Sequence, residues 1–135
     1  MSYSDTVESY MRRMDLAHEQ LDACTWVVSP DNIRLSQIIV RIDDPIVLFT
    51  SPVFTLAENT QDREGLFRRL LELNEDLLHC AYGLQGQQLL MSGAAQAETL
   101  DFNEFQAMID DMSMGFDRHL DELAKWRPAK AEEAN

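Results

Sequence analysis

The sequence has little of what catalytic and metal-binding loops are made from. It contains only five glycines and two cysteines, and it has no G-x-G-x-x-G, P-loop or G-x-S-x-G pattern. Cys24 and Cys80 lie far apart, so neither belongs to a C-x-x-C motif, and we predict two buried thiols that act as small apolar side chains. The histidines His18, His79 and His119 fall in separate predicted elements without spaced partners. We therefore predict a non-enzyme with no cofactor and no metal. A small enzyme is the weaker alternative, because no acid–base pair can be named.

Basic residues and long apolar runs are also scarce. Lysine and arginine number 11 against 24 aspartates and glutamates, which gives a formal net charge of -13. Such a surface repels phosphate backbones, so we do not expect nucleic acid as a partner. No apolar run approaches the roughly 18 residues of a membrane span, and no apolar leader follows a charged start. We expect a cytoplasmic protein without membrane insertion.

A chain of 135 residues is long enough for one core and too short for two. We predict a single domain over residues 1–127. Lys125, Arg127 and Pro128 mark the end of its last helix. The remaining stretch is rich in alanine, glutamate and lysine, and we predict a disordered tail over residues 128–135.

The opening residues predict a helix that Ser2 caps and that continues to Leu21. Its apolar positions recur every three or four residues: Tyr3, Val7, Tyr10, Met14, Ala17 and Leu21. Asp15 and Glu19 lie one turn from His18, a spacing that suits either a metal-ligand pair or a solvated polar face. We favour the solvated face.

Three runs rich in β-branched and aromatic residues follow the first helix. They predict strands over residues 24–28, 33–42 and 46–56, separated by turn clusters. Pro52 lies inside the third run. Because proline cannot donate to a strand ladder, it predicts an edge position or a bulge near Ser51.

The second half predicts a helix, a strand pair and a long helix. Asn59 or Thr60 is placed to cap the helix, and the strand pair turns at Gln85-Gly86. The last helix opens at Asp101 with a capping-box spacing, and its acidic residues, such as Asp110 and Asp111, are interpreted as solvated charge. The predicted fold is α+β, an antiparallel sheet of about five strands flanked by three helices in the order α-β-β-β-α-β-β-α.

Two sets of apolar side chains exceed what one core needs. The middle helix carries the stripe Leu66, Leu70, Leu73 and Leu77 with Phe67, Leu71 and Leu78 beside it. A stripe this wide predicts contact with a second subunit. The runs Ile38-Ile39-Val40 and Ile46-Val47-Leu48-Phe49 make both faces of one hairpin apolar, which predicts a partner on the face that helices leave open.

Several stretches together resemble the class I type III secretion chaperones and the similar YbjN-like domains. They are Ser51-Pro52-Val53-Phe54-Thr55-Leu56, Leu66-Phe67-Arg68-Arg69-Leu70-Leu71-Glu72-Leu73-Asn74, Cys80-Ala81-Tyr82-Gly83-Leu84, Leu89-Leu90-Met91 and Leu100-Asp101 with the helix after it. The resemblance runs from about Tyr3 to Trp126. It implies a non-catalytic homodimer that binds an extended apolar segment of another protein. The alternative is a YbjN-like stabilising or regulatory protein unconnected with secretion.

The resemblance also implies where the two contacts lie. The dimer interface would form from the second helix and the following strand, through Leu66, Phe67, Leu70, Leu73, Leu77, Tyr82 and Leu84. The partner segment would lie on the first helix and the sheet, against Val7, Met11, Met14, Ile38, Val40, Val47 and Phe49.

Overall fold

The computed structural model describes residues 2–31 and 37–128. Over these residues the helices are α1 (Tyr3–Arg13), α2 (Arg63–Leu73) and α3 (Phe102–Leu123), with 3-10 turns at Asn74–Asp76 and Ala124–Trp126. The strands are β1 (Ala17–Asp22), β2 (Thr25–Ser29), β3 (Ile38–Asp43), β4 (Ile46–Thr55), β5 (Ala81–Gln85) and β6 (Gln88–Gln96). The start of the predicted strand 33–42 lies partly outside the described residues. The single domain over residues 1–127 stays a prediction, and most of the tail predicted over 128–135 is outside the described residues.

The strands form one antiparallel sheet in the order β1-β2-β3-β4-β6-β5. The α+β class with three helices is confirmed, but the described sheet has six strands rather than about five. The additional strand is β1, where the sequence predicted that the first helix continues to Leu21. The helix stops at Arg13, and Asp15 takes a positive φ of 55° that turns the chain back. β1 then pairs with β2, whose backbone provides its hydrogen bonds. The polar sequence of β1 does not by itself predict a strand.

The predicted caps of α1 and α3 are confirmed. The Ser2 hydroxyl accepts a hydrogen bond from the Asp5 N–H, and the Asp101 carboxylate accepts one from the Glu104 N–H. The cap predicted for α2 is wrong, because Asp62 accepts from the Gly65 N–H in place of Asn59 or Thr60. The Thr60 hydroxyl instead accepts from the backbone of the preceding loop.

Proline in β4 is accommodated by a bulge. β4 lies between β3 and β6, so the edge alternative for Pro52 is wrong. The pairing with β6 shifts register between Pro52 and Phe54, as the bulge prediction requires. The predicted turn before β6 is also present, with Gly86 at a positive φ of 62°.

The core lies between the sheet and the helices. The Phe105 ring of α3 packs on Phe49 of β4 at 5.6 Å and on Tyr10 of α1 at 5.7 Å, measured between ring centroids. Trp26 of β2 is fully buried in the same cluster. Burying such large side chains supplies the main stabilisation of the fold.

Candidate protein-binding surfaces

The residues predicted to receive a partner lie in the core of the single chain. Six of them are buried: Val7, Met11, Ile38, Val40, Val47 and Phe49. Only Met14 is half-buried, at the edge of that core. In the single chain these six side chains are therefore covered, and the partner-binding role predicted for the set stays a prediction. The helices cover the inward-pointing positions of β3 and β4. Because both faces of this hairpin carry apolar residues, sequence periodicity could not tell which face the helices cover.

The outward positions of the same strands carry the open apolar surface. Ile46 and Leu48 of β4 are 39% and 36% exposed. Ile39 of β3 is half-buried and pairs across to Val27 of β2. Leu90 of β6 is half-buried as well. We call these five side chains the outer sheet face. The prediction that both faces of the hairpin are apolar is confirmed.

The predicted dimer residues divide between core and surface. Five are buried: Leu66, Leu70, Leu73, Leu77 and Tyr82. Phe67 is half-buried, and Leu84 is 46% exposed. Leu71, which the sequence placed in the adjoining stripe, is 71% exposed. Leu77 lies beyond the end of α2, because the helix gives way to a 3-10 turn at Asn74.

The exposed members of this group surround a shallow apolar groove between α2 and β5. Its lining is Phe67, Leu70, Leu71, Asn74, Tyr82, Gly83, Leu84 and Leu89. β5 is the last strand in the order, so one of its edges faces no other strand among the described residues. Exposed apolar side chains beside an edge strand form a surface on which a second chain can bury apolar area. We call this region the α2–β5 groove.

Two polar side chains hold β5 in place. The Asn74 side chain accepts from the Tyr82 N–H at 2.7 Å and donates to its carbonyl at 3.4 Å. The Asp111 carboxylate of α3 accepts from the Leu78 N–H at 3.0 Å and the His79 N–H at 2.7 Å, just before the strand. The interpretation of Asp111 as solvated charge is thus wrong, since a long-range contact that periodicity does not reveal gives it a structural role.

Two groups near β5 and on α3, the Cys80 thiol and the Asp110 carboxyl, have pKa values above their ordinary ones. Burial, followed by the charge of Asp111, raises the pKa of the Cys80 thiol to about 12. Partial burial also raises the pKa of Asp110, which is exposed at the surface of α3 as predicted. Cys24 is exposed. The prediction of two buried thiols therefore holds for Cys80 and is wrong for Cys24.

His119 of α3 contacts Tyr82 of β5. Its residue surface is only 4% exposed, and its Nδ1 atom lies 2.9 Å from the Tyr82 hydroxyl oxygen. Its Nε2 atom has no hydrogen-bond partner within the described structure, and the Asp76 carboxylate is 4.0 Å away. Burial lowers the pKa of His119 and raises that of Tyr82, so both groups are neutral at pH 7. The sequence carried no signal for this pair.

Other kinds of site find no support in the part of the chain that is described. Within residues 2–31 and 37–128, no three His, Cys, Asp or Glu side chains are grouped so that they could hold a metal ion. Over the same ranges, none of the helices combines the length and the apolar character needed to cross a membrane. The outer sheet face and the α2–β5 groove are therefore the candidate binding surfaces.

Comparison with known proteins finds one family model and several solved structures that are similar to this chain. The family model CesT_Tir_1 matches residues 1–128. A chain of the ExoU–SpcU complex from the type III secretion system of Pseudomonas aeruginosa is 13% identical, with a TM-score of 0.65, over 90% of this chain and 98% of that one. YbjN from E. coli is 13% identical, with a TM-score of 0.67, over 88% and 92%.

A third solved structure extends the comparison. A chain in the complex of the Yersinia pestis type III secretion chaperone SycH with a fragment of YscM2 is 11% identical. Its TM-score is 0.58, over 93% of this chain and 99% of that one. Identities this low show a shared fold. No curated protein matches the sequence.

Proposed function

The chain belongs to the CesT_Tir_1 family of type III secretion chaperones, and from this we propose a non-catalytic protein-binding role. In this proposal the protein is a cytoplasmic homodimer that holds an extended apolar segment of another protein. The observation that carries it is the apolar side chains left exposed at the α2–β5 groove and on the outer sheet face. With a net charge of -13, nucleic acid is not among the proposed partners.

The proposed dimer forms through the α2–β5 groove. Leu71 and Leu84 would be covered by the second subunit, and the buried residues beneath them, such as Leu70 and Tyr82, would support the contact from inside. A stable dimer needs about 800 Å² buried on each partner. The apolar lining of the α2–β5 groove supplies the surface for this contact, because Asn74 already binds the N–H and the carbonyl of Tyr82 at the outer edge of β5.

Light scattering on purified protein at micromolar concentration tests the dimer. The wild type should have the mass of two chains, and Leu71→Asp the mass of one, because a carboxylate cannot be buried cheaply between apolar surfaces. Leu21→Asp is the matched control, since Leu21 is also an exposed leucine but lies on β1 at the opposite edge of the sheet. A wild-type mass of one chain, or equal masses for the two variants, would refute this interface.

The proposed partner segment lies on the outer sheet face. Ile39, Ile46 and Leu48 present apolar side chains there, next to those predicted from the sequence but on the opposite side of the strands. Affinity should come from buried apolar area and survive high salt. Steering by the acidic surface would instead favour basic segments and weaken as salt rises.

Binding to a partner captured from the source cell and identified by mass spectrometry tests this surface. Leu48→Asp should raise the dissociation constant at least about tenfold, because burying one leucine contributes on the order of 1.5–3 kcal/mol. Gln106→Asp adds the same charge on α3, at an exposed position on the helical side of the sheet, and should bind like the wild type. Equal affinity for Leu48→Asp and wild type, with a loss of more than about tenfold in high salt, would contradict the proposal.

A regulatory or stabilising protein outside secretion is the second candidate. The structural similarity to YbjN favours it, since its TM-score of 0.67 is close to the 0.65 of the ExoU–SpcU chain, with 88% of this chain covered against 90%. The captured partner separates the two candidates. A single abundant partner with an unstructured segment, encoded beside this chain, supports the chaperone, whereas its absence together with an envelope-stress or flagellar phenotype in a deletion strain supports the regulator.

A further inference from the structure

The contact between His119 and Tyr82 joins α3 to the strand that borders the α2–β5 groove. The imidazole is buried, and its Nδ1 atom is 2.9 Å from the Tyr82 hydroxyl oxygen. The second nitrogen, Nε2, is also buried and has no hydrogen-bond partner in the described structure. The core therefore holds a titratable ring with one nitrogen paired and the other unsatisfied.

Charged and titratable groups face this ring from each element packed around it. They are Asp76 from the 3-10 turn, Tyr82 from β5, Arg69 from α2, and Arg118 and Glu122 from α3 itself, while Cys80 acts on the Tyr82 hydroxyl. Arg69 is already paired with Glu122. Asp76 is the carboxylate nearest to Nε2, at 4.0 Å, but its side chain is 63% exposed and thus screened by water.

We propose that the His119–Tyr82 contact is a pH-sensitive fastening for β5, which holds the strand against α3 at neutral pH and loosens it in mildly acidic solution. Protonation puts a positive charge on a buried ring near Arg118. It also makes both ring nitrogens donors, so the Tyr82 hydroxyl must act as acceptor and turn its own proton elsewhere. Because β5 borders the α2–β5 groove, loosening the strand would weaken the dimer, and this consequence rests on the proposed function.

The direction of the pH dependence follows from linkage. Burial and the charge of Arg118 lower the pKa of His119 below its ordinary value of 6.5 in the folded protein, while Asp76 opposes this. The unfolded chain then binds more protons than the folded one as the pH falls through 6.5. The stability that neutral His119 contributes is complete above this value and is lost below it. If Asp76 dominated, the sign would be reversed.

Melting temperatures at about pH 7.5 and about pH 5.5 test the proposal in three proteins. They are the wild type, His119→Gln, and the double variant His18→Gln/His79→Gln, in which His119 is the sole histidine. The carboxylates are common to all three, so their titration cancels. On acidification the wild type and the double variant should lose at least about 3 °C more than His119→Gln. An equal loss in all three proteins, or a gain in the wild type, would overturn the inference.

An NMR titration of the double variant supplies a test that does not need His119→Gln to fold. With one histidine left, the imidazole signal needs no assignment, and its midpoint should lie below 6.5. A midpoint at or above that value refutes the inference. Light scattering on the same samples separates it from the proposed dimer. Single-chain masses at both pH values with the melting difference intact support the fastening and refute the dimer, whereas a stable dimer without the melting difference refutes the fastening alone.

Discussion

Replacing Asp111 by alanine should destabilise the protein much more than the same change at Asp110, although the two residues are adjacent on α3. The Asp111 carboxylate accepts two backbone hydrogen bonds, at 3.0 Å and 2.7 Å, from the segment that leads into β5. Asp110 is exposed, and its pKa is raised by partial burial, so its charge brings no comparable benefit. The pair isolates the contact from the loss of one negative charge.

The expected magnitude follows from the kind of hydrogen bond. A bond to a charged acceptor contributes about 1.5–3 kcal/mol, so two would contribute up to about 6 kcal/mol if they were fully buried. Leu78 and His79 are exposed, however, and water can take over their N–H groups once the carboxylate is gone. We therefore expect Asp111→Ala to lower the free energy of unfolding by about 2 kcal/mol. Asp110→Ala should change it by less than about 0.5 kcal/mol.

Urea unfolding at neutral pH, followed by tryptophan fluorescence and by circular dichroism, measures both values. The midpoint should fall for Asp111→Ala while the slope stays as in the wild type, which would show that the folded state lost stability without a change in compactness. Equal midpoints for the two variants would refute the reasoning. It would mean that apolar contacts hold the loop before β5 and that the Asp111 carboxylate adds no stability to it.

Two further predictions concern packing and thiol chemistry. Gly93→Ala should cost about 1–3 kcal/mol, since its added Cβ would lie 2.7 Å from the backbone carbonyl oxygen of His79 and 2.7 Å from the Met108 sulfur, whereas Gly83→Ala, with its nearest neighbour at 3.8 Å, should cost less than about 0.5 kcal/mol. Equal costs in thermal unfolding would contradict this. A thiol reagent at mildly alkaline pH should react with Cys24 and spare Cys80, whose pKa is raised by burial to about 12. Fast reaction of the one thiol left in Cys24→Ser would contradict this prediction.

The sequence determined the features that depend on neighbouring residues. Apolar periodicity predicted the α+β class, and side-chain oxygens at Ser2 and Asp101 predicted two helix starts, because a cap needs only the next three residues. Gly86 marked the turn before β6 for the same reason, since few other residues adopt a positive φ without strain. The apolar character of both faces of the β3–β4 hairpin could also be read directly.

The tertiary structure decided what depends on residues far apart in the chain. β1 is a strand because β2 lies beside it, although its own sequence continued a helical pattern. Val47 and Phe49 are core while Leu48 is open, because the helices cover one face of the sheet, and an alternating pattern does not say which face that is. His119 and Tyr82 are 37 residues apart and meet only through the packing of α3 on β5. Local periodicity records which side chains share a face, but only packing determines what that face meets.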